Sequence, residues 1–505
     1  MTIRMTFTRP PMRARLLLVL AIAPAAARAQ DLAEKSHQAK ELMASGKFVE
    51  AATLYRELVR AVPNNPGLIT NLGMALDMSG DKTGAVREYQ AALRLDPDQF
   101  PALLLLGSAY LDLGQPSRAV DALGRALKIQ PGSLDAQEIL AEALLASGRP
   151  GEAVRRFQAL SDADPKNSKV WYGLGVCYER LAQQSFDALA KAAPGSGYWL
   201  DLVAESRLET KQDYSAFYFY HQALAKMPSM RGVHAAIAEV YKDSGHPDWA
   251  DVEEQKERQL PPPDCNTQKL ECDFQAGRFL EIVAATDQAR DPEAYYWRTR
   301  ACNKLALDAY LRLGELPPSE ETHELKAKIA SDRRQYAEAA KEWRQALQLS
   351  PGNSYVEKEL AIARYKSGDL AGAQTLFEEL LKRQPEEPDL NFYLGDTILN
   401  SQNARAAIPY LEKALQGDPH LLPAQRSLGL AYLQAGQADK AIPHLKAALP
   451  VDEDGSLHYQ LGRAYQASGQ RELASAMLKQ YQELHGAQQS ENAAVEKDVA
   501  ITPPE

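Results

Sequence analysis

Nine histidines and four cysteines are the residues of this chain best suited to chemistry, and their spacing supports little of it. The histidines are scattered, with no HExxH pair and no paired ligand spacing. His323-Glu324 is the nearest fragment, and it reads as a solvated helix start. No GxSxG, phosphate-loop or dinucleotide glycine pattern occurs. The glycine-rich stretch Gly195 to Trp199 lacks the preceding strand a phosphate loop requires, so it reads as a turn. No catalytic residue, metal or cofactor is expected, and the chain reads as a non-enzyme.

The cysteines divide into two kinds. Cys177 and Cys302 fall near helical positions where small buried residues pack, several hairpins apart, and read as packing residues. Cys265 and Cys272 are seven residues apart, roughly 10 Å in a continuous helix and beyond disulfide reach. Pro263-Asp264, however, places Cys265 before the helix, where the chain can fold back. Both a disulfide and two free thiols fit that spacing.

Aromatic residues concentrate in the middle: Trp171, Tyr172, Tyr178, Tyr198, Trp199, Tyr214, Phe217 to Tyr220, Tyr241 and Trp249. The run YSAFYFY cannot turn all its rings inward on one helix. Two readings stay open, a filling for irregular packing and an exposed binding surface.

The elements that must position these residues come from a repeat. Pro66 to Gln99 reads as two helices, Leu68 to Met78 and Thr83 to Leu95, with Gly80 in the turn and Pro97 closing the second. Small residues recur every 34 positions as Ala39, Gly73, Gly107, Ala141 and Gly175. In phase with them run Gly46, Gly80, Gly114, Gly148, then Ala51, Ala85, Ala119, Ala153, then Pro63, Pro97, Pro131, Pro165. One such hairpin cannot bury its own apolar stripe, so it must stack on neighbours. After two further hairpins, Pro261-Pro262-Pro263 interrupts the array. Residues 168–196 and 295–319 resemble each other and read as shortened hairpins, each followed by a full one. From Ser354 the small residue returns as Ala361, Gly395, Gly429 and Gly462.

On these tracks, and on Trp171, Leu174, Gly175 and Tyr178 in particular, the chain resembles the tetratricopeptide-repeat family. The resemblance implies an all-α fold, an α-solenoid (superhelix) of about fourteen helical hairpins. It also implies that first helices line a groove gripping peptides or helices of partner proteins. Transferred to this sequence, the groove-facing positions are Thr70, Asn71, Met74, Asp77, Leu104, Leu105, Ser108, Glu138, Glu142, Tyr172, Asp201 and Glu205. Asn71 matches the asparagine that holds a ligand backbone in many members of the family. Pro101 and Leu105 stand where the basic residues of the family's carboxylate clamp would be. Leucines mixed with carboxylates suit an apolar or basic partner segment instead.

The 505 residues carry a net charge of −10, which argues against nucleic acid or anionic lipid as a partner. Residues 1–29 read as a signal peptide: arginines, the apolar run Leu16 to Ala23, then Ala27-Arg28-Ala29 before Gln30. Loss of its five arginines would take the charge to −15. No later run is long enough to span a membrane. The expected organisation is an N-terminal array over 30–262, an irregular segment over 263–319, a second array over 320–487 and a disordered tail over 488–505. The resulting expectation is an exported, periplasmic scaffold that binds other proteins, in pilus, outer-membrane or exopolysaccharide assembly or secretion. A glycan- or peptidoglycan-binding protein using Tyr198 and Trp199 is the alternative.

Overall fold

A computed structural model describes residues 30–452, 454–498 and 501–504, which belong to two compact units, 1–165 and 166–505. The signal peptide assigned to 1–29 lies outside the described residues. Every regular element of length among the described residues is a helix.

The first unit is four hairpins. They are α1 (30–44) with α2 (Phe48–Ala61), and α3 (Pro66–Met78) with α4 (Lys82–Leu95). Next come α5 (Phe100–Asp112) with α6 (Pro116–Ile129), and α7 (Leu134–Ala146) with α8 (Pro150–Ala163). The second hairpin shows why the sequence folds so. Pro66 sits at the start of α3, where its missing N–H costs nothing, and the Asn65 side chain accepts the Leu68 N–H. Gly80 turns the chain at φ +94°, and Asp81 caps α4 by accepting the Gly84 N–H at 2.8 Å. Gly73 has no room for a side chain: a Cβ there would lie 2.6 Å from the Tyr89 ring. Ala51, Ala85, Ala119 and Ala153, the second-helix track, are all fully buried.

The second unit departs from that plan before returning to it. It opens with α9 (Ser168–Ala192), a single helix of 25 residues. The expected shortened hairpin is absent here because no glycine or proline interrupts the chain between Gly175 and Pro194. An excursion follows: α10 (Gly197–Glu209) with α11 (Asp213–Lys226), α12 (Val233–Asp243) with α13 (Pro247–Gln259), and the short α14 (Lys269–Gln275) with α15 (Phe279–Ala285). The chain then returns through α16 (Pro292–Glu315), another uninterrupted helix, of 24 residues.

Helices α9 and α16 pack on each other, antiparallel. Gly175 meets the ring of Tyr310, Tyr172 lies 6.4 Å from the same ring, and the Thr299 hydroxyl points at the Ala182 carbonyl 3.5 Å away. In the regular hairpins the small first-helix residue meets the residue 16 positions later: Gly73 with Tyr89, Gly107 with Leu123, Gly395 with Leu411. At Gly175 that partner comes from α16 instead. The two segments read as separate shortened repeats are thus the two halves of one composite hairpin, with α10 to α15 inserted between them. Cys177 and Cys302 accordingly lie on packed helices rather than several hairpins apart, and both are buried and free.

The regular array resumes with α17 (Glu320–Asp332) and α18 (Tyr336–Leu349), then α19 (Ser354–Ser367) and α20 (Leu370–Arg383), then α21 (Pro388–Asn400) and α22 (Ala404–Gly417). It ends with α23 (Leu422–Gln434) and α24 (Ala438–Ala448), then α25 (Ser456–Ala467) and α26 (Arg471–Asp498). Leu394, Leu411, Leu428, Leu445 and Leu461 run through one shared core. Three hairpin turns reach the left-handed conformation without glycine, at Lys211, Arg334 and Gln402. The tail expected to be disordered from 488 is helical as far as Asp498, and residues 501–504 lie against α12. Cys265, just ahead of α14, forms a disulfide with Cys272 inside that helix.

Candidate functional site

In the first unit the proposed groove positions lie on α3, α5 and α7, and most are half-buried on one face: Asn71, Met74, Leu104, Leu105, Ser108, Glu138 and Glu142. Two differ. Thr70 is 5 % exposed, and its hydroxyl is bonded at 2.9 Å to both the Pro66 carbonyl and the Gln99 side chain. It joins one hairpin to the next and is not available to a partner. Asp77 is taken by the Lys82 ammonium at 2.7 Å, and Lys82 also reaches Asp112 of the following hairpin. The groove face left by these corrections is Asn71 with its apolar neighbours and the two glutamates.

In the second unit, Asp201 on α10 does not face outward either, and the half-buried Glu205 one turn on is engaged by an arginine. Asp201 is 3 % exposed and accepts the Tyr296 hydroxyl at 2.7 Å. Arg300 donates to that same hydroxyl at 2.6 Å and pairs with Glu205 at 2.7 Å. Burial raises both carboxyls, Glu205 to about 7, against the pull of the single guanidinium they share. Tyr296 and Arg300 belong to α16, so this cluster fastens the insertion to the composite hairpin.

Tyr172 does face the array, and it leads into a network that runs across helices. Its hydroxyl donates to Glu324 of α17 at 2.6 Å, and Lys328 pairs with Glu324 at 2.8 Å. The Tyr355 hydroxyl of α19 donates to the same carboxylate at 3.1 Å. Lys328 lies over both the Tyr172 and Tyr355 rings, 5.2 and 6.0 Å from their centres. Further along, Asp396 of α21 receives the hydroxyls of Tyr365 from α19 and Ser427 from α23. Burial raises the carboxyls of Glu179 and Glu359, although Glu179 keeps its access to water. A carboxylate open to water yet crowded by protein is what the floor of a cleft provides. Glu324, Lys328, Tyr355, Glu359, Tyr365 and Asp396 are absent from the sequence-derived positions. Glu324 stands three residues before Ala327, as Tyr172 does before Gly175, so the same register would have found it.

Other candidates dissolve. His323 pairs with Glu342 at 2.7 Å while Glu324 turns to Tyr172, so the His-Glu fragment is split between two partners. No group of three metal-ligating side chains occurs among the described residues. Tyr198 packs 4.8 Å from Tyr296, and Trp199 lies half-buried against the same apolar cluster. Tyr178, Phe217, Tyr220 and Tyr241 are buried, and Tyr214, at 62 % exposure, is the prominent exception. The central rings fill the joint between α9, α16 and the insertion.

Two family profiles, each described as tetratricopeptide repeat, match 37–100, 104–154, 140–197 and 358–421 in one case and 399–457 in the other, together about half of the chain. No curated protein matches. Among solved structures, MamA of MSR-1 is 25% identical over 34% of this chain and 98% of its own, with a TM-score of 0.30. MamA residues 41 to the end from Desulfovibrio magneticus RS-1 is 23% identical over 34% and 96%, with a TM-score of 0.31. YrrB, titled a TPR protein with an unusual peptide-binding site, is 21% identical over 32% and 83%, with a TM-score of 0.28. The register of small residues, the hairpins stacked on it and the profile matches agree, and the chain belongs to the tetratricopeptide-repeat family.

Proposed function

We propose that this chain is an exported scaffold of the bacterial envelope, serving assembly or secretion, which holds a basic or apolar segment of a partner protein against its first helices. Tetratricopeptide repeats support a protein-interaction scaffold, and the leader-like residues 1–29 support export. The single observation behind the partner's chemistry is the run of carboxylates Glu324, Glu359 and Asp396 set among Tyr172, Tyr355 and Tyr365 on first helices. A lysine or arginine from a partner would add its charge to this acidic face, and the rings would take its apolar stem.

The test is site-specific photo-crosslinking in the producing cell, with the crosslinker placed at Glu359 or Tyr365 and, as control, on an exposed second-helix position such as Glu379. One protein recovered in stoichiometric amount from the first set only, through a Lys- or Arg-containing peptide, and lost in Glu359→Lys, is the expected result. Equal recovery of abundant envelope proteins from both sets would remove the proposal.

A further inference from the structure

Tyr241, on α12, is fully buried, with the rings of Phe217 and Trp249 each 5.5 Å away. A buried tyrosine hydroxyl needs a partner, and here it is found far along the chain. It donates at 2.7 Å to the backbone carbonyl of Thr502, 261 residues later. Ile501 packs half-buried against the apolar cluster that Tyr241, Phe217 and Trp249 share, and Pro504 is half-buried beside exposed Thr502 and Pro503. Residues 501–504 have no regular secondary structure. What holds them is therefore one carbonyl, one β-branched side chain and a backbone stiffened by two prolines.

That combination is how an extended ligand is recognised. Pro503 restricts Thr502 to extended geometry, so its carbonyl is presented with little entropy left to lose. Proline-containing extended segments characteristically dock on aromatic-lined surfaces for this reason. We infer that the aromatic surface of α12 and α13 is a docking site for an extended segment of the type apolar-x-Pro-Pro, and that this chain's own residues 501–504 occupy it. The site belongs to the insertion, apart from the first-helix face of the regular array. α26 carries the chain there: 28 residues of helix advance about 42 Å. Occupancy in cis ties the end of the regular array to the insertion, and a competing segment from another protein must first displace it.

The probe is a fluorescein-labelled peptide of residues 499–505, VAITPPE, titrated into the full-length chain and read by anisotropy. The intact chain, its site already filled, should bind the peptide at least ten-fold more weakly than full-length Ile501→Asp, whose own segment is released. Adding Tyr241→Phe to that variant, which keeps the ring and removes one hydrogen bond, should weaken binding about five-fold. A peptide carrying Ile501→Asp should not bind. Equal affinity for the intact chain and Ile501→Asp, no saturable binding to Ile501→Asp, or indifference to Tyr241→Phe would each overturn the assignment. Because Ile501 lies outside every helix and is only half-buried against the cluster, its replacement should leave the helices folded, which unchanged helical circular dichroism verifies.

Discussion

The composite hairpin can be tested with a single methyl group. In Gly175→Ala the new Cβ would lie 2.2, 2.5 and 2.7 Å from three atoms of the Tyr310 ring. Carbon atoms are comfortable at about 3.5–4.0 Å, so the ring would have to retreat by more than 1 Å. It has little freedom to do so, since its hydroxyl is bonded to Glu179 and its face packs on Tyr172. Overpacking of this kind costs about 1–3 kcal/mol, and so rigid a contact belongs at the upper end. Alanine in mid-helix recovers about 1 kcal/mol relative to glycine, leaving a net loss of about 2 kcal/mol. Had α9 instead met the residue 16 positions on, as Gly73 does, it would face Lys191, whose flexible chain could move aside. The substitution would then stabilise. The two arrangements thus differ in sign.

Unfolding of a repeat array is not two-state, so the measurement should be local. Hydrogen exchange of peptides from α9 and α16 should accelerate about thirty-fold in Gly175→Ala, the equivalent of about 2 kcal/mol. Gly124→Ala in α6, where nothing lies within 4 Å of the new Cβ, should slow exchange instead. Tyr310→Ala alone is costly, but adding Gly175→Ala to it should cost nothing more, a departure from additivity of more than 1 kcal/mol. Unchanged or slower exchange in α9 of the single Gly175→Ala chain would refute the pairing of α9 with α16.

Three further outcomes follow from the same geometry. Arg334 and Gln402 hold left-handed turns that cost a non-glycine residue about 1–2 kcal/mol, so Arg334→Gly or Gln402→Gly should raise local stability by about 1 kcal/mol in the same exchange assay. Reducing the disulfide between Cys265 and Cys272 opens a short loop and should cost about 2–3 kcal/mol, seen as faster exchange in α14 and α15 with α19 to α24 unaffected. Burial lowers the pKa of His444, whose Nδ1 lies 2.6 Å from the Gln425 side chain and whose ring stacks on Tyr432, with Glu412 opposing only in part. The folded state then binds the proton less readily than the unfolded chain. Stability of α23 and α24 should therefore fall as pH drops through about 6.5, the ordinary histidine range, and His444→Gln should flatten that slope.

The hairpins were legible because each is a local object. Gly80 turns, Asn65 and Asp81 cap, and Gly73 admits Tyr89, all within 34 residues, so one pass along the chain exposes the rule. The pairing of α9 with α16 obeys the same contact but closes it between Gly175 and Tyr310, and no periodicity links positions that far apart. The absence of a turn residue between Gly175 and Pro194 was the available signal, and it argued for one long helix against the register of the repeat. The site divides in the same way. Tyr172 follows from its offset of three to the small residue Gly175, and that offset reaches Glu324, three before Ala327, as well. Thr70 and Asp201 fail for a reason the offset does not contain: each has a polar partner, Gln99 ahead of α5 or Tyr296 on α16, brought from elsewhere in the chain, and a carboxylate or hydroxyl so paired is buried where a groove residue would stay open. Position in a repeat therefore gives the face a residue starts on, while the partner supplied by the next element decides whether it stays there. Where that next element is out of sequence order, as at α16, the repeat alone cannot supply the partner.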